Sequence, residues 1–200
     1  MNKTKKRLLW LGVSALIIII VIVFQLSFNR RTDLDPAALS LSLSSAPSGA
    51  EDDGGLRYVV TGTSPISQDG LVLSNPESGE VALNNVLPGS PPAPLVSGVL
   101  DAENLSQELV RFRLSTGNIS PDKFNSNIGE ALTLAVSATD ASRHVFRFED
   151  PSLAAINVSL QPGETRAITF NAPSEPGEYT FFCDVPGHAK SGELGRMIVK

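Results

Sequence analysis

The sequence predicts a small all-β sandwich at the C-terminal end of a chain that begins with one transmembrane helix and a flexible stalk. Three observations carry this reading. After Leu105, apolar residues alternate at period two in six or seven short runs, Gly and Pro turn signals separate those runs, and near the N-terminus an almost unbroken apolar stretch extends from Leu8 to Phe24. Period two turns alternate side chains to one face of a strand, so each run buries one face and leaves the other to solvent or a second layer.

The chain opens Met1-Asn2-Lys3-Thr4-Lys5-Lys6-Arg7, and the apolar run continues weakly to Phe28. At about 1.5 Å per residue, residues 8–28 span roughly 30 Å, the thickness of a bilayer core. Basic residues precede the run, and Arg30 and Arg31 follow it, so the short N-terminal side is expected in the cytoplasm. A cleaved signal peptide is the competing reading, but no small-x-small site directly follows the run and it is longer than a usual signal h-region. Residues 1–31 are therefore read as a signal anchor with the span at 8–28. The expected localisation is single-pass in the cell membrane, with the C-terminal domain periplasmic or extracellular.

The first 31 residues hold six of the 16 basic side chains and none of the 21 acidic ones. The remainder carries ten basic against 21 acidic residues, a net charge of about −11. That balance argues against nucleic acid and anionic membrane surfaces as partners and would favour a basic patch on any redox partner protein; general solubility is the plainer reading of the same charge.

From Thr32 to about Gly55 the chain is rich in Ser, Ala, Gly, Pro and Asp, a composition that offers few large side chains to bury and reads as a tether. Residues 56–100 contain the short β-like runs Tyr58-Val59-Val60 and Leu71-Val72-Leu73, split by Ser-Pro, Asp-Gly and Asn-Pro turn signals, then the stiff Pro88-Gly89-Ser90-Pro91-Pro92-Ala93-Pro94. Residues 32–104 are accordingly expected as a weakly structured stalk with at most a hairpin.

Residues 105–200 hold the regular pattern. Val110, Phe112 and Leu114 alternate with Arg111 and Arg113; Leu132, Leu134, Val136 and Ala138 alternate with small or polar residues. His144, Phe146 and Phe148 share a face, Ile168 and Phe170 follow the Gln161-Pro162-Gly163-Glu164 turn, and Tyr179, Phe181 and Cys183 share a face after Pro176-Gly177. The chain closes on Met197-Ile198-Val199. This pattern predicts an antiparallel sandwich or barrel of one domain, with no helical repeat.

Cys183 is the only cysteine, and it stands five positions before His188, one of two histidines; the other is His144. A lone cysteine in an exported chain forms no internal disulfide, which leaves an intermolecular bond, a free thiol or a metal. Taken singly, His144 reads as a core histidine, Cys183 as a small buried hydrophobe and His188 as a loop residue. Taken together, one thiolate and two imidazoles are the set that holds copper in electron-transfer sites.

Ser120-Pro121-Asp122-Lys123-Phe124, Ile128-Gly129-Glu130, Asp140 with His144-Val145-Phe146, Gln161-Pro162-Gly163-Glu164, Pro176 through Cys183, and Pro186-Gly187-His188 occur in an order that resembles the cupredoxin family of small blue-copper proteins, which includes plastocyanin, azurin and auracyanin. The resemblance covers residues 105–200. It implies a Greek-key β-sandwich with one copper ion, cycling between Cu(I) and Cu(II), near one pole. His144, Cys183 and His188 would be metal ligands.

The chain departs from the family pattern in two places. Where many relatives place an axial methionine, this chain has Gly192-Glu193-Leu194-Gly195, so Glu193 becomes the fourth candidate ligand; Met197 lies beyond the loop and reads as core. A carboxylate is harder and more anionic than a thioether, and bound axially it favours Cu(II) and resembles the red copper of nitrosocyanin. If it instead swung to solvent, copper would be three-coordinate or water-capped. Val145 stands where plastocyanin and azurin carry an asparagine that ties the ligand loops together, so that tie is missing from the sequence. The expected function is single-electron transfer by a non-enzymatic copper protein. Copper capture and delivery, or a small molecule bound at an open copper position, are the alternatives, as is a sandwich that has lost its metal.

Overall fold

The computed structural model of the chain describes residues 55–200; the expected membrane span over 8–28 and the tether up to residue 54 lie outside them. Among the described residues no helix is long and apolar enough to cross a membrane. The strands are β1 (Leu73–Asn75), β2 (Glu80–Val81), β3 (Val110–Ser115), β4 (Asn118–Ser120), β5 (Lys123–Ser126), β6 (Ala131–Ala138), β7 (His144–Phe148), β8 (Asn157–Leu160), β9 (Thr165–Asn171), β10 (Gly177–Cys183) and β11 (Leu194–Val199).

Two sheets form the sandwich, one in the order β5-β11-β10-β7-β8 and the other β4-β3-β6-β9. Their inner faces are the period-two positions: Phe112 and Leu114 on β3, Leu134 and Val136 on β6, and Ile168 and Phe170 on β9 meet Phe146 and Phe148 on β7, Phe181 on β10, and Met197 and Val199 on β11. Met197 is fully buried, as expected of a core residue. Aromatic rings fill the middle of this core. Phe112 lies 5.1 Å from both Phe146 and Phe181, and Phe146 stacks on Phe181 at 5.3 Å.

The expectation of an antiparallel sandwich is corrected in two pairs. β3 pairs parallel with β6, and β11 pairs parallel with β5. The physical reason is connectivity. Between β3 and β6 the chain forms β4 in the same sheet and then β5 in the facing one, so β6 returns to the side of β3 in the same direction.

The expected stalk is the second correction. Residues 56–100 do contain the hairpin, β1 with β2, but they also lie on the sandwich. Ser97 donates its amide to Ala167, Leu100 donates to Thr165, and Val96 forms a β-bridge with Ile168, so this segment covers the free edge of β9. Val60, Leu109, Ala135 and Ala167 form a second buried cluster with Val59, Leu100 and Leu105 packed against it. β6 is therefore buried on both faces, which explains why Thr133 and Ala135 are enclosed alongside Leu132 and Leu134. Main-chain hydrogen bonds hold this segment, and Val60, Ile66, Val72 and Leu73 are buried within it.

Asn171 is the chief clip of this arm. Its Oδ1 accepts from the Val72 amide at 2.8 Å, and its side-chain amide donates to Gly70 and Gly129 carbonyls at 2.9 Å. Its own carbonyl accepts from Asn84 at 2.7 Å. Asn171→Ala removes the side-chain bonds and leaves backbone groups unpaired. It is expected to lower unfolding free energy by about 1–3 kcal/mol, with amide hydrogen exchange rising over residues 70–84 while β10 and β11 stay protected.

Candidate metal centre

Register brings three of the four candidate residues to one pole. β10 and β11 pair antiparallel up to Phe182 opposite Leu194, and the next pair, Cys183 and Glu193, is closed by a Cys183 amide to Glu193 carbonyl bond of 3.0 Å. Cross-strand partners share a face, so Glu193 stands beside Cys183 because the ladder runs one step past β11. On the other side of β10, Phe146 pairs with Cys183, and His144 lies two residues along β7 on the same face. The loop between Cys183 and Glu193 turns back through a short 3-10 helix, Ala189–Ser191, whose start presents His188. The His188 amide donates to Val185 and the Glu193 amide to the His188 carbonyl, so this loop is braced by its own backbone.

The side chains of His144, Cys183, His188 and Glu193 each offer a ligand atom, and these atoms all lie within 4.8 Å of one another. Both rings turn Nδ1 inward. Cys183 Sγ is 3.8 Å from His144 Nδ1 and 3.6 Å from His188 Nδ1. Glu193 Oε2 lies 2.8 Å from His144 Nδ1, and Oε1 lies 2.9 Å from His188 Nδ1. His144 and Glu193 are wholly buried and Cys183 nearly so, while the His188 side chain keeps 16% of its surface exposed.

The donor set fits copper. With metal–sulfur and metal–nitrogen bonds of about 2.3 and 2.0 Å, sulfur and nitrogen ligands of a tetrahedral ion are about 3.5 Å apart, close to the separations found here. The shorter carboxylate–imidazole distances are hydrogen bonds, which a cation would replace. Charge points the same way. Burial pushes the Cys183 thiol pKa up, and the Glu193 carboxylate beside it pushes further, against the amides of Val145 and Val185 that pull it down. A thiolate facing a buried carboxylate is stable only with a cation between them, and together they neutralise a divalent one.

His144 is held from behind. Its Nε2 lies 2.9 Å from Asp140 Oδ1, and this bond, with amide donors from Thr116 and Ser142 and the Thr116 hydroxyl, holds the Asp140 carboxyl far below the usual carboxylate range. The asparagine tie missing at Val145 is thus supplied otherwise. Thr116 donates its amide and hydroxyl to Asp140 at 2.7 and 2.8 Å, which joins the β3–β4 turn to the β6–β7 loop. Val145 itself contributes only backbone, its amide 3.4 Å from Cys183 Sγ and its carbonyl accepting from Asp184 at 2.8 Å. Sequence reasoning did not assign Thr116 or Gly117 to the site. Gly117 donates its amide to Glu193 Oε1 at 3.0 Å, and a backbone donor leaves no signal in residue type. The glycine pair was the available hint. Gly192 has φ +119°, and a Cβ there would meet the Gly117 carbonyl at 2.6 Å.

A family model described as "Cupredoxin-like domain" matches residues 95–198, more than half of the chain. No curated protein matches the sequence. Among solved structures, reduced auracyanin from the photosynthetic bacterium Roseiflexus castenholzii is similar at 22% identity, covering 48% of this chain and 98% of its own, with a TM-score of 0.41. Auracyanin A from Chloroflexus aurantiacus, described as a blue copper protein, is 18% identical over 46% of this chain and 98% of its own, with a TM-score of 0.38. A variant of amicyanin in its reduced Cu(I) form is 15% identical over 52% of this chain and 92% of its own, also at 0.38.

Gly192→Ala is expected to force the Gly117 turn away from Glu193. The positive φ alone costs about 1–3 kcal/mol. Chemical denaturation should show that loss with far-ultraviolet circular dichroism unchanged, and metal affinity should fall because the Gly117–Glu193 bond is stretched.

Proposed function

Because the chain belongs to the cupredoxin-like family, we propose that it is a membrane-anchored, extracytoplasmic mononuclear copper protein that passes single electrons between partner proteins. The observation that carries this reading is the convergence of His144 Nδ1, His188 Nδ1, Cys183 Sγ and a Glu193 carboxylate oxygen within 4.8 Å. The apolar run 8–28 with its basic flanks supports anchoring, and the acidic remainder supports a partner with a basic surface.

Copper held by these four residues would supply a one-electron couple between Cu(I) and Cu(II). The protein's part is to hold the donors still. Cys183 and Glu193 are fixed by the β10–β11 ladder, His144 by β7 and Asp140, and His188 by its own turn, so little rearrangement accompanies a change of charge. Glu193 would be the fourth ligand, at the sequence position where many relatives carry a thioether. As a second buried anion beside the thiolate it would favour the divalent state, and so would lower the reduction potential and move the centre from blue toward red copper. His188 is the partly exposed member of the cluster, and its edge would be the route by which an electron leaves.

Burial favours a carrier over an open site that takes up a small molecule. Glu193 and His144 have no exposed surface and Cys183 has 1%, so a solvent-borne ligand meets only the His188 edge.

Copper loading of the full chain is expected to produce a strong sulfur-to-copper absorption that Cys183→Ser abolishes. Glu193→Gln should shift that band and raise the midpoint potential. An intense blue band identical in wild type and Glu193→Gln overturns ligation by Glu193, and a chain that takes up no copper overturns the function.

A further inference from the structure

His144 has no exposed surface, and each of its ring nitrogens faces a carboxylate: Nδ1 meets Glu193 at 2.8 Å and Nε2 meets Asp140 at 2.9 Å. The two carboxylates are held in turn by consecutive amides of one turn. Thr116 N–H donates to Asp140 Oδ2 at 2.7 Å and Gly117 N–H donates to Glu193 Oε1 at 3.0 Å. The Thr116 hydroxyl adds a bond to Asp140 Oδ2 at 2.8 Å, and the Ser142 amide adds one to Oδ1 at 3.0 Å. Asp140 therefore has both oxygens occupied and its direction set before His144 is considered.

We propose that Asp140, braced by the Thr116–Gly117 turn, is a positioning residue of the metal centre. It fixes His144 in the tautomer that carries its proton on Nε2 and turns the Nδ1 lone pair to the metal. The argument is one of accounting. A neutral imidazole has one N–H and one lone pair, and a buried ring cannot give an unpaired N–H to water. Both nitrogens face a carboxylate, but Nδ1 is the one turned to the other candidate ligands, 3.8 Å from Cys183 Sγ, so a metal held among them would take the Nδ1 lone pair and the proton belongs on Nε2, toward Asp140. The N–H bond to an anion also makes the imidazole a stronger donor, which adds to Glu193 in favouring the divalent ion. Because one turn holds both carboxylates, a displacement of Thr116–Gly117 loosens the ligand Glu193 and the support of His144 together.

This inference rests on the reading that the cluster holds copper, and its test separates the two. Zinc, a redox-silent stand-in, is titrated into the full chain of wild type, Asp140→Asn and Thr116→Val, and the His144 ring nitrogens of the zinc form are assigned by long-range proton–nitrogen NMR. In wild type, Nε2 is expected to carry the proton and Nδ1 the metal. Asp140→Asn should weaken zinc binding about ten- to a hundredfold, Thr116→Val should weaken it less, and copper-loaded Asp140→Asn should have a higher midpoint potential. A wild-type chain that binds zinc through His144 Nε2 overturns the role of Asp140 without any variant, and so does Asp140→Asn binding within about twofold of wild type. A wild-type chain that takes up neither zinc nor copper overturns the copper reading, and the inference with it.

Discussion

The constraint on which this structure turns is a carboxylate with no access to water. Glu193 is wholly buried, and an isolated anion in that position is costly by several kcal/mol even after relaxation. The fold answers it with polar neighbours: the Gly117 amide and the inward Nδ1 atoms of His144 and His188. Each of these groups fixes something else. Gly117 draws the β3–β4 turn against the ligand loop, His144 holds the end of β7, and His188 closes the loop after Cys183. The pole of the sandwich is built around one acid.

That acid also sets the electrostatic character of the pole. Burial and Glu193 both raise the thiol of Cys183, so the pole favours either a neutral thiol or a thiolate neutralised by a cation. A thioether in the same place would leave this balance to the sulfur alone. The exposed charges nearby, such as the Arg147–Asp184 pair at 3.0 Å, are partly solvated and contribute little by comparison.

Much of the sandwich was legible because period-two alternation is a local property. Phe112 and Leu114, Leu134 and Val136, His144, Phe146 and Phe148, and Tyr179, Phe181 and Cys183 all turn inward as their spacing implied. The arm over residues 56–100 was not legible for the converse reason. It is held by backbone hydrogen bonds and by Asn171, a residue some 99 positions from its partner Val72, and polar, Gly- and Pro-rich sequence gives no sign of whether such bonds are made. The parallel pairs of β3 with β6 and of β11 with β5 were hidden too, since alternation is the same whichever way a neighbour runs.

By itself the sequence determined the chemistry of this protein: one thiol, two imidazoles and one acid in place of a thioether, spaced along strands whose inward faces are marked by their own periodicity. The tertiary structure decided what surrounds them. It paired Cys183 with Glu193 by extending a ladder one step, set Asp140 behind His144, and brought Thr116 and Gly117 to both carboxylates from a turn far away in sequence. The physical reason is that a ligand is a residue type, visible in one dimension, whereas its support is a direction in space, and much of that support comes from backbone amides that every sequence contains.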